Sequence, residues 1–200
     1  MAAKPILFYI SHGHRQPVGG GRTDPGAVSG KFVEADLAYK ACKYLKAYLL
    51  NHRGDMKYKV AYTESKGNGL HLWEHVKDIA RYRLRYRTVS IDWHFNAGGG
   101  NGCECWIPKN NKYSEELAKL ILDEQKKIGR PWHSCNGKMG LAIHKDSSLQ
   151  FLKAKGPTLL FEAGYVDSKS DRKDFDTDKE LKRIAEAVGK AMIRYYKKYR

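Results

Sequence analysis

The sequence predicts an α/β layered fold: one twisted, mixed but mostly parallel sheet of about six strands, with helices on both faces. Three observations carry this. Short apolar runs with aromatic and branched residues recur along the chain. Between them lie amphipathic stretches long enough for helices. Thr88 to Phe95 alternates Val89, Ile91, Trp93 and Phe95 with Ser90, Asp92 and His94, the period of two that belongs to a strand. No repeat, linker or low-complexity segment interrupts the pattern, so residues 1–200 read as a single domain.

The elements follow in order. Pro5 to Ile10 is a buried strand, and Ser11 to Gly30, rich in Gly, Pro, Asp and His, is a long loop. Glu34 to Leu50 is a helix, because Leu37, Ala38, Ala41, Leu45, Tyr48 and Leu49 recur at helical spacing and Gly54 suits a stop. Lys59 to Thr63 is a second strand. Leu70 to about Arg85 is a second helix, with Leu72, Val76, Ile79 and Ala80 inward. After the strand over Thr88 to His94 come a flexible glycine loop (Gly98 to Gly102) and a strand over Cys103 to Ile107. Ser114 is expected to cap a helix over Ser114 to Ile128. Leu149 to Lys153 reads as an edge strand, and Pro157 to Val166 as a central one built on Leu159-Leu160-Phe161. A last helix over Asp178 to Lys198 lines up Leu181, Ile184, Val188, Ala191 and Tyr195 on one face.

Composition bounds the partners. The chain carries 37 basic and 22 acidic residues, a net charge of +15. Such a surface attracts polyanions (nucleic acid, anionic lipid or wall polymers) without choosing among them, and a lysine-rich surface kept for solubility is the plain alternative. No apolar run approaches the roughly 20 residues of a membrane span. The apolar stretch from Met1 to Ile10 is too short for a secretory signal, so the chain reads as made in the cytoplasm and acting elsewhere only after release. Cys42, Cys103, Cys105 and Cys135 show no C-x-x-C pairing, which speaks against a disulfide scaffold. Cys103 and Cys105 with His133 and Cys135 could form a metal site, but small core residues are the favoured reading.

A hydrolytic zinc takes two histidines and a carboxylate, leaving a fourth position for water. In open α/β sheets such groups converge at the carboxyl ends of strands. His14 follows the first strand, Glu34 opens the first helix and His94 ends the third strand. Glu162 interrupts the apolar Leu-Leu-Phe run with an ionisable group, which is costly unless it has a task. Each also has an ordinary reading: a surface histidine, an acid matching the helix dipole, a core histidine. Asn96 and Asp92 share the face of His94. Asn96 is a candidate support for the site; Asp92 could back the site as a partner of a ligand, with ordinary polar structure the favoured reading.

Motifs in order sharpen this. Gly13-His14, Asp24-Pro25-Gly26-Ala27 and Glu34 resemble the opening motif of the zinc-dependent N-acetylmuramoyl-L-alanine amidases of type 3. His94-Phe95-Asn96-Ala97 is similar to that family's His-x-Asn-Ala, and Gly102-Cys103-Glu104 to its Gly-x-Glu strand. Leu160 to Tyr165, with Ser168 and Asp171, resembles its last motif. The resemblance implies one zinc ion per chain on His14, Glu34 and His94, with Glu162 as the catalytic glutamate. It implies cleavage of the amide between N-acetylmuramic acid and L-alanine in peptidoglycan. Asn96 and Glu104 are then candidate substrate-binding residues. The family's usual Asp-Pro-Gly-His is here Ser11-His12-Gly13-His14, so His12 competes with His14. A familiar arginine in the second-helix motif is replaced around His75.

The expectation is a monomeric, bacteriolytic enzyme of phage endolysin type, acting on peptidoglycan and anionic wall polymers, with no specific nucleic-acid partner. Another zinc peptidase of the stem peptide is one alternative. The other is a basic nucleic-acid-binding protein using Arg81, Tyr82, Arg83, Arg85, Tyr86 and Arg87.

Overall fold

Ile6–His12 forms strand β1, every residue of which is buried. That is what a strand flanked by neighbours and covered on both faces requires. In the computed structural model, which describes residues 4–63, 70–130, 132, 134–135, 138–139 and 142–200, the chain then makes two short hairpins and enters helix α1 (Glu34–Asn51). Strand β2 (Lys59–Tyr62), helix α2 (Leu72–Arg83), strand β3 (Arg87–Asn96), strand β4 (Glu104–Ile107) and helix α3 (Lys112–Lys127) follow. Strands β5 (Ile143–Lys145) and β6 (Thr158–Tyr165), the short helix α4 (Lys169–Arg172) and helix α5 (Asp178–Tyr199) complete the fold.

The sheet has six strands in the order β5-β4-β6-β3-β1-β2. All neighbours are parallel except β4 and β6, so the sheet is mixed and mostly parallel. Ile6, Phe8 and Ile10 of β1 face the larger core, where α1, α3 and α5 pack. Leu7 and Tyr9 face the smaller one, closed by Ile79 of α2 and by Phe151 and Leu152. No helix among the described residues is long and apolar enough to cross a membrane.

Several local expectations change. β1 runs two residues past Ile10, because β3 is long enough to pair with it as far as His12 opposite Trp93. Helix α3 is capped by Asn111, whose side chain accepts the Ser114 amide at 3.0 Å. Ser114 is buried and its hydroxyl accepts from the Thr158 amide at 2.9 Å, tying helix to sheet. Leu149 to Lys153 is not a strand: the place beside β4 is taken by Ile143–Lys145, and Phe151–Lys153 forms a 3-10 turn that buries Phe151 and Leu152. On α2, His75 and Ile79 are the buried residues, while Leu72 and Ala80 face solvent. Helical periodicity offered overlapping stripes, and the stripe that docks includes His75, whose Nδ1 lies 2.9 Å from the buried Tyr9 hydroxyl.

Candidate metal centre

The site lies where β1, β3 and β6 end. Beyond β1, His14 and Arg15 hold φ near +65° (65° and 64°), a left-handed conformation that costs a non-glycine residue about 1–3 kcal/mol. It turns the His14 ring back over the sheet. Gly13, just before, leaves room for the His94 ring: a Cβ there would lie 2.0 Å from His94 Cε1. Gly26 does the same on the other side, where a Cβ would meet Glu34 Oε2 at 2.5 Å and His14 Cδ2 at 2.6 Å. The glycines of the two opening motifs are therefore steric requirements of the cluster.

His14, Glu34 and His94 each offer a ligand atom, all within 4.8 Å of one another. His94 Nδ1 lies 3.0 Å, and His14 Nε2 3.2 Å, from Glu34 Oε1. The remaining nitrogen of each ring faces another carboxylate: His14 Nδ1 is 2.7 Å from Asp24 Oδ2, and His94 Nε2 is 3.0 Å from Asp92 Oδ2. This is the pattern of metal-binding histidines, where an outer carboxylate fixes the tautomer and turns the other nitrogen inward. Asp92 is fully buried and also accepts from the Ser11 hydroxyl at 2.7 Å. Asp24 is braced by the Gly26 amide at 3.0 Å and by Gln16 Nε2 at 2.6 Å. Glu34 is held by the Ala27 amide on Oε2 and the Phe95 amide on Oε1. Burial alone would raise its carboxyl, but hydrogen bonds and charge from His14 and His94 outweigh that and hold it low. The donor set, the inward nitrogens and the glycine cradle all fit a zinc ion.

Glu162 stands opposite His94 in the β3–β6 register and opposite Glu104 in the β6–β4 register. Its Oε2 is buried and has no hydrogen-bond partner among the described residues. Burial first, opposed by His94 but reinforced by Glu34, Glu104 and Asp92, pushes its carboxyl up to about 8. A proton can therefore come and go near neutral pH.

The family's sequence profile, described as N-acetylmuramoyl-L-alanine amidase, matches residues 9–194. The chain belongs to the N-acetylmuramoyl-L-alanine amidases. Its fold is similar to those of solved family members. Ami1 of Mycobacterium smegmatis aligns at 18% identity and a TM-score of 0.76 over 98% of both chains. AmiC2 of Nostoc punctiforme aligns at 19% and 0.75, over 98% of this chain and 99% of that one. An amidase of Clostridium difficile 630 aligns at 20% and 0.74 over the full length of both. A comparison with curated proteins returned no match.

In this amidase the competing histidine, His12, lies apart from the cluster. Its ring packs edge-on against Tyr39 and Tyr62, its Nδ1 is 3.2 Å from the Gly13 carbonyl, and burial lowers its basicity. Asn96 and Glu104 are brought together: Asn96 Nδ2 donates to Glu104 Oε1 at 3.1 Å. Glu104 is buried and also engages Trp106 Nε1 at 3.0 Å and His144 Nε2 at 3.3 Å. Cys103 and Cys105 point to the opposite face, into the main core, where burial raises the Cys103 thiol to about 11. The suggested partners His133 and the Cys135 side chain lie outside the described residues. The glycine loop is pinned: Asp167 Oδ2 accepts the Gly98 and Gly99 amides, and Asp171 Oδ2 those of Gly102 and Tyr165. Asp24, Trp106 and His144 are site residues to which the sequence assigned no role, and for Asp92 it favoured ordinary polar structure over a supporting one. Asp92 left a signal, two residues before His94 on the same strand face, and Asp24 stands in the opening motif.

Proposed function

We propose that this amidase is zinc-dependent and hydrolyses the amide between N-acetylmuramic acid and L-alanine, with His14, Glu34 and His94 holding the metal and Glu162 moving the proton. One observation carries the reading. Two imidazoles, each backed by a carboxylate, turn their free nitrogens toward a shared carboxylate, and beside them stands Glu162, whose buried Oε2 has no hydrogen-bond partner among the described residues.

Zinc in such a set supplies Lewis acidity that activates water and polarises a carbonyl. Glu162 accepts the proton of the attacking water on its unpartnered oxygen and delivers it to the leaving alanine nitrogen. Its raised pKa suits both directions of transfer. Asp24 and Asp92 keep the imidazoles oriented. Asn96, at the end of β3, and Glu104, at the start of β4, would contact the substrate beside the cleaved bond.

The test is metal analysis of the purified chain together with the products it releases from peptidoglycan. A single zinc and new L-alanine amino termini are the expected result. New termini at other stem-peptide positions would make the enzyme a zinc peptidase instead. Asp92→Asn keeps the side chain's shape and removes its charge. It should weaken zinc binding by about 10- to 100-fold, measured by competition with a chromophoric chelator.

The proposal extends to an endolysin role, with the enzyme acting on the wall after release from the cell that made it. Its support is the +15 charge, which suits an anionic wall. Wall binding should then fall steeply between about 50 mM and several hundred millimolar salt, as the Debye length shrinks toward a few ångströms. Unchanged binding in a pelleting assay would remove that support.

A further inference from the structure

At the other end of the sheet, about 20 Å from the metal centre along β3, the amino ends of β1 and β3 frame a second cleft of about 450 Å³. That is within the range of about 300–1,000 Å³ typical of ligand sites. Lys4, Arg83 and Arg87 line it, and no carboxylate does. None of the three has an acidic partner among the described residues. Lys4 Nζ donates to the Arg83 carbonyl and Arg87 Nε to the Lys4 carbonyl, both at 3.0 Å. The nearby Glu116 is engaged by Lys198 at 2.6 Å. A larger cleft beside α1 differs: there Arg15 pairs with Asp36, Lys31 with Asp176 and Lys40 with Asp178, so three of its four cations are matched by carboxylates in the same lining.

Two further features point to a ligand. Thr88 lines the cleft, is 1% exposed, and its hydroxyl has no hydrogen-bond partner among the described residues. Buried hydroxyls are normally satisfied. Gly156 lacks a Cβ where one would lie 2.6 Å from Arg83 Nη1, which leaves the guanidinium space beside that hydroxyl. The wall of the cleft is tyrosine. Tyr199 packs on Tyr195 at 4.6 Å and, edge-on, on Tyr113 at 5.6 Å. Rings packed against one another are not splayed to receive stacked bases, as single-strand nucleic-acid binders require.

We propose that this cleft binds a phosphodiester polymer of the bacterial wall, a polyol-phosphate chain. The two guanidinium forks would take phosphate oxygens, Thr88 would bond to the same group, and the tyrosines would border the polyol. The choice of a wall polymer over other phosphodiesters rests on the amidase reading above. The sequence's arginine-tyrosine run is thereby divided: Arg81 pairs with Asp78, while Arg83, Tyr86 and Arg87 enter the cleft.

The test is calorimetric titration of the full chain with purified poly(glycerol phosphate) free of peptidoglycan, with inorganic phosphate and an oligonucleotide of matched phosphate number as comparisons. Arg83→Glu/Arg87→Glu should bind about tenfold or more weakly. Lys179→Glu/Lys190→Glu, the same change of charge at exposed positions on α5, should stay within about twofold. Equal losses in the two variants, or equal or tighter oligonucleotide binding with the same arginine dependence, would overturn the proposal. Thermal melts report folding. If the arginine variant does not fold, Thr88→Val decides, since it keeps the shape and removes only the hydroxyl. Binding about threefold or more weaker, with an unchanged or higher melting temperature, supports the site, and unchanged affinity overturns it. Muropeptide cleavage is read separately, so failure of this site and failure of the amidase reading are distinguishable.

Discussion

Replacing Glu162 by glutamine is expected to lower amide hydrolysis by about 10²- to 10⁴-fold while leaving zinc content unchanged. Glutamine keeps the shape and fills the same space but cannot carry a proton in either direction. His14, Glu34 and His94 are untouched by the change, so metal analysis and turnover of the same sample separate chemistry from metal binding. Near-native turnover would remove Glu162 from the mechanism.

The same variant carries a pH signature in chelator-treated protein. Burial holds the folded carboxyl near 8 against 4.5 in a free chain. A raised carboxyl favours the folded state below the free value, and that advantage is lost as pH rises through the folded one. Between those values the unfolded chain has released its proton and the folded chain has not. Each pH unit there costs the native protein up to about 1.4 kcal/mol, which the glutamine variant does not pay. The melting temperature of Glu162→Gln, relative to the native chain, should therefore rise from about pH 5 to pH 8. A constant difference would mean that the carboxyl is already ionised in the fold.

Arg130→Met is expected to cost about 3–5 kcal/mol of stability, a fall of roughly 6–20 °C in melting temperature for a chain of this size. Arg130 is 2% exposed. Its Nε donates to Asp174 and its Nη1 to Gln125, both at 3.1 Å, and its Nη2 to the carbonyl of Ala163, the residue after Glu162. Gly164, at φ +147°, is needed beside it, because a Cβ would press on Nη2 at 3.0 Å. Removing the guanidinium takes a donor from the Ala163 carbonyl and from Gln125, and leaves Asp174 with only its longer contact to Arg183 at 3.4 Å. Because that carbonyl adjoins Glu162, kcat should fall together with stability. A stability loss under about 1 kcal/mol in thermal or denaturant unfolding would show that Arg130 is not a structural link.

The helices and central strands were legible because their signals are local. The stripe of α5 and the apolar runs of β1 and β6 follow from burial of one face or both, which periodicity reports directly. The Asn111 cap and the edge position of β5 were not legible. Each depends on which neighbour is nearby in space: Thr158 claims the Ser114 hydroxyl, and β4 accepts Ile143–Lys145 rather than the stretch after it. His75 turned inward for the same reason, drawn by the Tyr9 hydroxyl.

Sequence by itself determined the layered fold, and the order of the motifs singled out His14, Glu34, His94 and Glu162 as candidate site residues. It left His12 and His14 in competition, and favoured ordinary polar structure over a supporting role for Asp92. Only the tertiary structure shows where each of these side chains lies. Gly13 admits the His94 ring, the left-handed backbone at His14 turns one imidazole toward Glu34, and His12 is left among tyrosines. Asp92 and Asp24 come to lie against the His94 and His14 rings because β1, β3 and the loop before α1 meet at one end of the sheet. A carboxylate's partner across strands is a property of register and packing, and no single segment of the chain encodes it.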